Sequence, residues 1–501
     1  MKKLFFLLLI VPFLWVTCTG DTSPPKGGVT GVSLNKTSLT LTVGKTEQLT
    51  AQVKPADAEN RVVSWTSSKE SVATVNRSGT VTAVAEGTAT ITVTTQLGGK
   101  KADCAVTVTP RPVTDIGAKD GLSGKTAAAY FAEKNVYIGW NLGNGFDASN
   151  GYGSWTRKID QNFLPKIKEA GFSMVRIPVT WNTSTNRILT STTTGSGQTA
   201  VTVFDYSTFN ETNFKTTLAE VKQVVDWAYN AGLVSIINIH HDGSGTNNWL
   251  SVKKAAVDTT IYNGMTGVFT KIWELLAEEF KNYGDWLIFE PFNELHDGGW
   301  GWGTINANEF TVINQWNQIF TDTVRAAGGK NTERFLVVQP YCAKPHQALE
   351  DTFVLPTDTA SGKQVVSMHY YDPENFALRG SNMSWGSDSD KINLTNDFER
   401  YANKFTKNNI PLILGESGAT YQNRTDAGQI ATAHANRLKY FEWMCAEARR
   451  NNIVPVYWDN GTTSADSIGE NFGLWDRRPQ GDLNVIPGMG EVIEAMILGV
   501  Q

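Results

Sequence analysis

Trp286-Leu287-Ile288-Phe289-Glu290-Pro291-Phe292-Asn293-Glu294 passes from four apolar residues to an Asn-Glu pair. Pro411-Leu412-Ile413-Leu414-Gly415-Glu416-Ser417-Gly418 repeats the pattern, its apolar run handing over to Gly-Glu. A short continuous apolar run bounded by turn residues reads as a strand buried on both faces, as in parallel sheets. The two quoted runs, at 287–290 and 412–416, have counterparts at 136–141, 174–178, 234–239, 335–339, 365–369 and 454–458. Helical periodicity lies between them, at 162–170, 214–230, 265–283, 309–327, 396–406 and 429–449. In 214–230 the residues Val221, Val224, Val225 and Ala228 mark one face, and Gly232 follows as a stop signal. Eight strands alternating with helices predict an α/β fold, a (β/α)8 TIM barrel. The segment exceeds the roughly 250 residues typical of that fold, so long βα loops are expected. The Ser-, Thr- and Gly-rich stretch 191–200 is one such excursion.

Upstream the pattern changes. A chain of 501 residues implies two or three domains. Residues 29–109 are rich in Thr, Val and Ser, and 39–43 and 89–93 alternate with period two. Turn signals at Gly44, 76–79 and Gly87 cut the runs short, which predicts a small all-β sandwich. The succession Val-Ser-Trp65-Thr-Ser-Ser, Val72-Ala-Thr-Val, Gly79-Thr-Val-Thr-Ala and Gly87-Thr-Ala-Thr-Ile resembles the bacterial immunoglobulin-like group 2 domain, with Trp65 as its expected core anchor. Such modules are usually spacers. At the very start, Lys2-Lys3 precedes an apolar stretch over 4–16 that is too short to span a membrane and stops at Thr17-Cys18. It resembles a lipoprotein signal, with Cys18 as the lipidated residue; ordinary secretion is the alternative. The expected organisation is a signal over 1–18, a tether over 19–28, the immunoglobulin-like domain over 29–109, a linker over 110–118 and the barrel over 119–501. Membrane contact is then expected only through the lipid anchor, at the bacterial outer membrane or cell surface.

A formal charge of −5 argues against a nucleic-acid partner, which calls for a basic face. Cys18, Cys104, Cys342 and Cys445 have no metal-type spacing; Cys342 and Cys445 could pair, and buried free thiols are the expectation. Most of the 16 Trp are expected in the core, although flat aromatic faces also stack on sugar rings.

Functional groups of such barrels sit at the C-terminal strand ends. Reading those ends in order gives Trp140-Asn141, Arg176, His240-His241, Asn293-Glu294, His369-Tyr370-Tyr371, Glu416 and Trp458. Apolar strands thus feed a rim of titratable and aromatic residues, and two carboxylates facing each other are the minimum equipment for cleaving a glycosidic bond. Gly139-Trp-Asn-Leu-Gly-Asn144, Val175-Arg-Ile-Pro-Val-Thr-Trp181, Ile237-Asn-Ile-His-His241, Phe289-Glu-Pro-Phe-Asn-Glu294, His369-Tyr-Tyr-Asp-Pro373, Leu414-Gly-Glu-Ser417 and Trp458-Asp-Asn-Gly461 together resemble glycoside hydrolase family 5, nearest its subfamily 4 of endoglucanases and xyloglucanases. The likeness spans about 120–500 and departs at Pro291-Phe292, where many relatives carry Thr-Leu.

The resemblance implies Glu294 as general acid/base and Glu416 as nucleophile of a retaining endo-β-1,4-glucanase. Arg176 and Tyr371 are expected to hold Glu416 ionised, Asn293 to bind the sugar 2-hydroxyl, and His369 to tune Glu294. His240 and His241 are expected in the polar wall, with strand alternation turning only one of them to the cleft. Trp458 is expected as the stacking floor, Asn141 as a further substrate-binding residue, and Trp181, Trp300 and Trp302 as loop subsites. No cofactor or metal is implied, since H-E-x-x-H and comparable spacings are missing. The expected partner is a β-glucan such as xyloglucan, cellulose-type or mixed-linkage glucan, acted on by a monomer. The rivals are a β-mannanase and a non-catalytic glycan-binding surface protein.

Overall fold

The computed structural model describes residues 28–42, 45–84, 86–109, 116–196, 199–243, 247–422, 424–463 and 470–501. The expected signal and Cys18, nearly all of the tether and most of the linker lie outside these residues. The chain divides into two compact units, one up to residue 110 and one from residue 111.

The first unit is all β. A four-stranded sheet runs in the order Ser38–Thr42, Lys101–Thr109, Gly87–Thr95, Val63–Ser67, and a three-stranded sheet in the order Thr46–Gln48, Thr80–Ala83, Ala73–Val75. Gly31–Leu34 pairs antiparallel with Ala51–Lys54. Alternation does the sorting: in Gly87–Thr95 the residues Ala89, Ile91 and Val93 turn inward, and Leu49, Val81 and Cys104 close the core. Trp65 is half-buried at the margin of this core, not at its centre. Its ring lies against Gly79, where φ is +88° and an added Cβ would stand 2.7 Å from the indole.

The second unit is a closed barrel of eight parallel strands. They are β1 (Gly139–Leu142), β2 (Met174–Ile177), β3 (Val234–Ile237), β4 (Leu287–Phe289), β5 (Leu336–Val338), β6 (Gln364–Tyr370), β7 (Leu412–Ser417) and β8 (Ile453–Asp459). Each neighbours the next in sequence, and β8 closes on β1 through Asn141 opposite Trp458. The strands are buried almost throughout, which explains their continuous apolar runs. The 191–200 excursion joins an exposed hairpin, Thr190–Thr194 paired with Val201–Asp205.

The helices follow the expected periods. Glu211–Ala231 is capped by Asn210, whose side chain accepts the Asn213 amide, and ends at Gly232 in the left-handed region. The helix expected at 396–406 begins earlier, at Asp388, because Ser387 and Asp390 form a reciprocal capping box. Trp140, Trp249, Trp273, Trp286, Trp316 and Trp475 are fully buried. Cys104, Cys342 and Cys445 are buried free thiols.

Two irregularities shape the rim of the barrel. The β6–β7 register shifts between Met368 and His369, setting His369 opposite Glu416. The β7–β8 register shifts between Leu414 and Ser417. Bulges re-aim side chains at barrel rims, and Glu416 sits between these two.

Candidate active site

Arg176 organises the rim. Entering from β2 and wholly buried, its guanidinium spends its donors on four partners. Nε donates to Glu290 Oε2 at 2.6 Å. Nη1 donates to Asn141 Oδ1 and to Glu416 Oε1, each at 3.1 Å. Nη2 donates to Asn293 Oδ1 at 2.8 Å. A fixed planar fork suits this task in a way a Lys ammonium does not. Glu290 receives a second donor, Gln339 Nε2.

Glu416 is also bound by Tyr371, whose hydroxyl donates to Oε2 at 3.2 Å. His240 Nε2 stands 3.8 Å from Oε1. Gly415 is required here, because a side chain in its place would collide with Ser367 Oγ and press on His369. Glu294 lies past the end of β4, with Oε1 at 2.7 Å from His369 Nδ1. The same nitrogen is 3.6 Å from Glu416 Oε2. A carboxylate oxygen from each glutamate and one His369 nitrogen all fall within 4.8 Å of one another. Two acids 122 positions apart in the chain thus meet across one imidazole.

Burial pushes both carboxyls above the usual range, and their mutual repulsion raises Glu416 further. Glu416 has compensation in direct contact, from Arg176 and Tyr371. Among the described residues the direct polar contact of Glu294 is with His369, whose own pKa burial lowers to about 4, and the charges of Lys344 and His296 act on it from farther away. The direct donors therefore favour the anion at Glu416 over the anion at Glu294. His241 is likewise pushed down to about 4 by burial, and His240 well below its ordinary value.

Trp458, half-exposed at the end of β8, lies parallel to His240 with ring centroids 5.7 Å apart. Gly143 leaves room for it, since a Cβ there would stand 2.9 Å from the indole. His240 and His241 meet edge to face at 4.4 Å. One of the two, His240, reaches Glu416, but strand alternation is not the cause, because β3 ends at Ile237, before either residue. His240 is the buried partner of Glu416, and the His241 side chain is 34% exposed with Nε2 at 3.8 Å from Asp147 Oδ2.

Other expectations need correction. Trp181 is no loop subsite. It is fully buried, stacked on Phe214 at 4.6 Å, with its indole N–H donating to Asn238 O. Asn141 and Arg176 are also fully buried, so they act through neighbouring side chains and do not form a substrate surface. Asn141 donates to Gly415 O at 2.9 Å and orients Arg176.

Three contributors escaped the sequence reading. Glu290 and Gln339 set Arg176 from the far side. Asp242 accepts the backbone amides of Trp181 and Asn182 and the Trp249 indole N–H, tying the loops after β2 and β3 together. The only sign of Glu290 in the sequence was its place at the strand end, four residues before Glu294. Asp147, His240 and His241 also bring ligand-type atoms within 4.8 Å. His240 Nδ1, however, faces the Asn238 amide and Nε2 faces Glu416, so its nitrogens are engaged elsewhere.

Residues 133–464 match the cellulase family, glycosyl hydrolase family 5. The chain belongs to glycoside hydrolase family 5. Residues 28–106 of this family 5 hydrolase match the bacterial Ig-like domain, group 2. Endoglucanase A of Paenibacillus barcinonensis is 31% identical over 75% of this chain and 90% of its own length. The xyloglucan-specific endo-beta-1,4-glucanase of Bacteroides ovatus is 26% identical over 92% of each chain. Among solved structures, a GH5-4 broad specificity endoglucanase from Bacteroides salanitronis superposes with a TM-score of 0.65 at 32% identity, covering 77% of this chain and 97% of that one.

Proposed function

We propose that Glu294 is the general acid/base and Glu416 the nucleophile of this family 5 hydrolase. The chain is a retaining endo-β-1,4-glucanase working by double displacement. Glu416 attacks the anomeric carbon while Glu294 gives its proton to the departing oxygen. Water, deprotonated by Glu294, then hydrolyses the glycosyl-enzyme and returns the original configuration. The observation that carries the assignment is the meeting of the two carboxylates within 4.8 Å at His369. That separation supports a retaining pair, roughly 5–5.5 Å apart, and leaves no room for the water an inverting pair holds. Asn293, kept in place by Arg176, offers its amide to the 2-hydroxyl, and Trp458 supplies the floor under the same sugar.

Xyloglucan is the substrate we favour. The relative named for it aligns across nearly the whole chain, immunoglobulin-like segment included. The N-terminal unit then serves as a spacer that holds a monomeric barrel away from a membrane to which Cys18 is lipidated. Lys2-Lys3, the apolar stretch after them and Cys18 support that placement at the cell surface. Among the described residues no helix is long and apolar enough to cross a membrane.

Two substitutions test the pair. Glu416→Ala abolishes hydrolysis, and added azide restores turnover with an α-glycosyl azide as product. Glu294→Ala loses polysaccharide activity, while kcat/KM on aryl glycosides with good leaving groups, which reports the first step, falls far less. Equal losses on both substrate types would overturn the roles. Initial rates on xyloglucan, carboxymethyl cellulose, lichenan and glucomannan then rank the backbones.

A further inference from the structure

Among the described residues three tryptophans are strongly exposed: Trp155 at 39%, Trp300 at 50% and Trp302 at 59%. All three stand on loops that follow barrel strands, and two of them share the loop after β4, the strand that delivers Glu294. This loop is built with care. The Trp300 ring stacks on His296 at 4.2 Å and 28°, and the Trp302 ring stacks on His346 at 4.3 Å and 23°. His346 Nε2 lies 3.0 Å from Gly301 O, the carbonyl between the two indoles. Each indole therefore has one face covered by an imidazole and still remains at least half exposed.

The backbone is held where such residues rarely go. Trp300 has φ +53°, in the left-handed region that bulky side chains avoid. The turn beneath it, after β5, places Cys342 at +55° and Ala343 at +48°. Cys342 N donates to Leu295 O at 3.0 Å, which joins that turn to the residue after Glu294. Strain of this kind persists only where surrounding structure imposes it, and it concentrates at ligand contacts. Lys344, on the same turn, lies 5.9 Å from the Trp302 ring, and its charge reaches Glu294. The two indoles thus belong to the acid's side of the cleft, while Trp458 and His240 belong to the nucleophile's side.

An acid protonates the leaving oxygen, so the sugars on its side are those that depart. We propose that Trp300 and Trp302 form a stacking platform for the acceptor end of the β-1,4-glucan chain. The proposal rests on the assignment of Glu294 as acid. The exposed indole faces take the C–H faces of successive departing sugars, and binding there selects substrates with two or more sugars beyond the cut.

The test compares cellohexaose with β-cellotriosyl fluoride, whose leaving group is a single atom with no acceptor sugar. In Trp300→Ala/Trp302→Ala, kcat/KM on cellohexaose falls about tenfold, and on the fluoride it changes less than about twofold. The products of end-labelled cellohexaose shift away from long reducing-end fragments. Trp300→Phe/Trp302→Phe keeps the aromatic faces and recovers most of the loss. Equal losses on both substrates, or no loss on cellohexaose, would overturn the platform and leave the glucanase reading standing. Failure of the parent enzyme to turn over either substrate would overturn that reading, and the platform with it.

Discussion

The ends of β4 and β7 carry the same side chain in opposite settings. Glu416 is held by a guanidinium and a phenol, and Asn141 steadies both Arg176 and the backbone at Gly415. Glu294 is held by one neutral imidazole, and its side chain is about twice as exposed, 19% against 9%. The fold spends its buried donors on the carboxylate proposed as the nucleophile, a role that calls for an anion. The other carboxyl is left with fewer direct donors, and burial raises its pKa. The difference teaches that the chemistry of each glutamate is set by its neighbours' donors, since burial alone raises both.

Arg176→Met is the strongest way to break this asymmetry. It strands Glu290 and Glu416, two buried carboxylates, without their common cation. Removing one partner of a buried ion pair costs about 3–5 kcal/mol of stability, measurable by urea unfolding. Activity on carboxymethyl cellulose should fall by about a thousandfold or more, since the nucleophile takes up a proton. A variant that folds with parental stability and keeps a tenth of the parental rate would refute the role given to Arg176. Tyr371→Phe is milder. A hydrogen bond to a charged group contributes about 1.5–3 kcal/mol, and at 3.2 Å this one belongs at the weak end. The expected loss in kcat/KM is about tenfold. With one donor gone the Glu416 anion is less favoured, so the acid limb of the pH profile moves to higher pH.

How much of this was legible in the sequence differs from residue to residue. The barrel was, because strands buried on both faces leave long apolar runs and glycines mark the helix ends. Glu294 and Glu416 were, because each closes such a run. Glu290 was not, since a carboxylate that serves only to hold a cation looks like any polar residue at a strand end. Nor could sequence separate Trp181 from Trp300 and Trp302. All three lie in loops, and only the packing of Trp181 on Phe214 reveals that it faces the core. For His240-His241 the outcome was legible, with His240 alone of the two beside Glu416, but alternation is not its cause, since the strand stops before either residue. The bulges on either side of Glu416 have no sequence signature beyond Gly415, and they are what turn that side chain toward His369.

Glu290→Gln sharpens the comparison most finely, because it changes Glu416 without touching it. Arg176 is shared between two carboxylates, and Glu290 takes the shorter contact, 2.6 Å against 3.1 Å. An amide at 290 keeps an oxygen for Arg176 Nε but withdraws the competing charge. Gln339 can accommodate the change. Its Oε1 is buried and lacks a hydrogen-bond partner, so rotating the amide turns that oxygen toward the new NH2 group. The fold should therefore survive, and kcat/KM at the optimum should fall by less than about tenfold. The informative readout is the acid limb of kcat/KM, which reports ionisation of the nucleophile in the free enzyme. The groups around Glu416 are Arg176, His240, His369, Tyr371, Glu294 and Asp147, and of these only the pull of Arg176 is altered. Freed from Glu290, that pull falls wholly on Glu416 and favours its anion, so the limb moves to lower pH. This is opposite in sign to Tyr371→Phe. Shifts in the same direction for the two variants would show that Arg176 does not divide its charge between the two carboxylates.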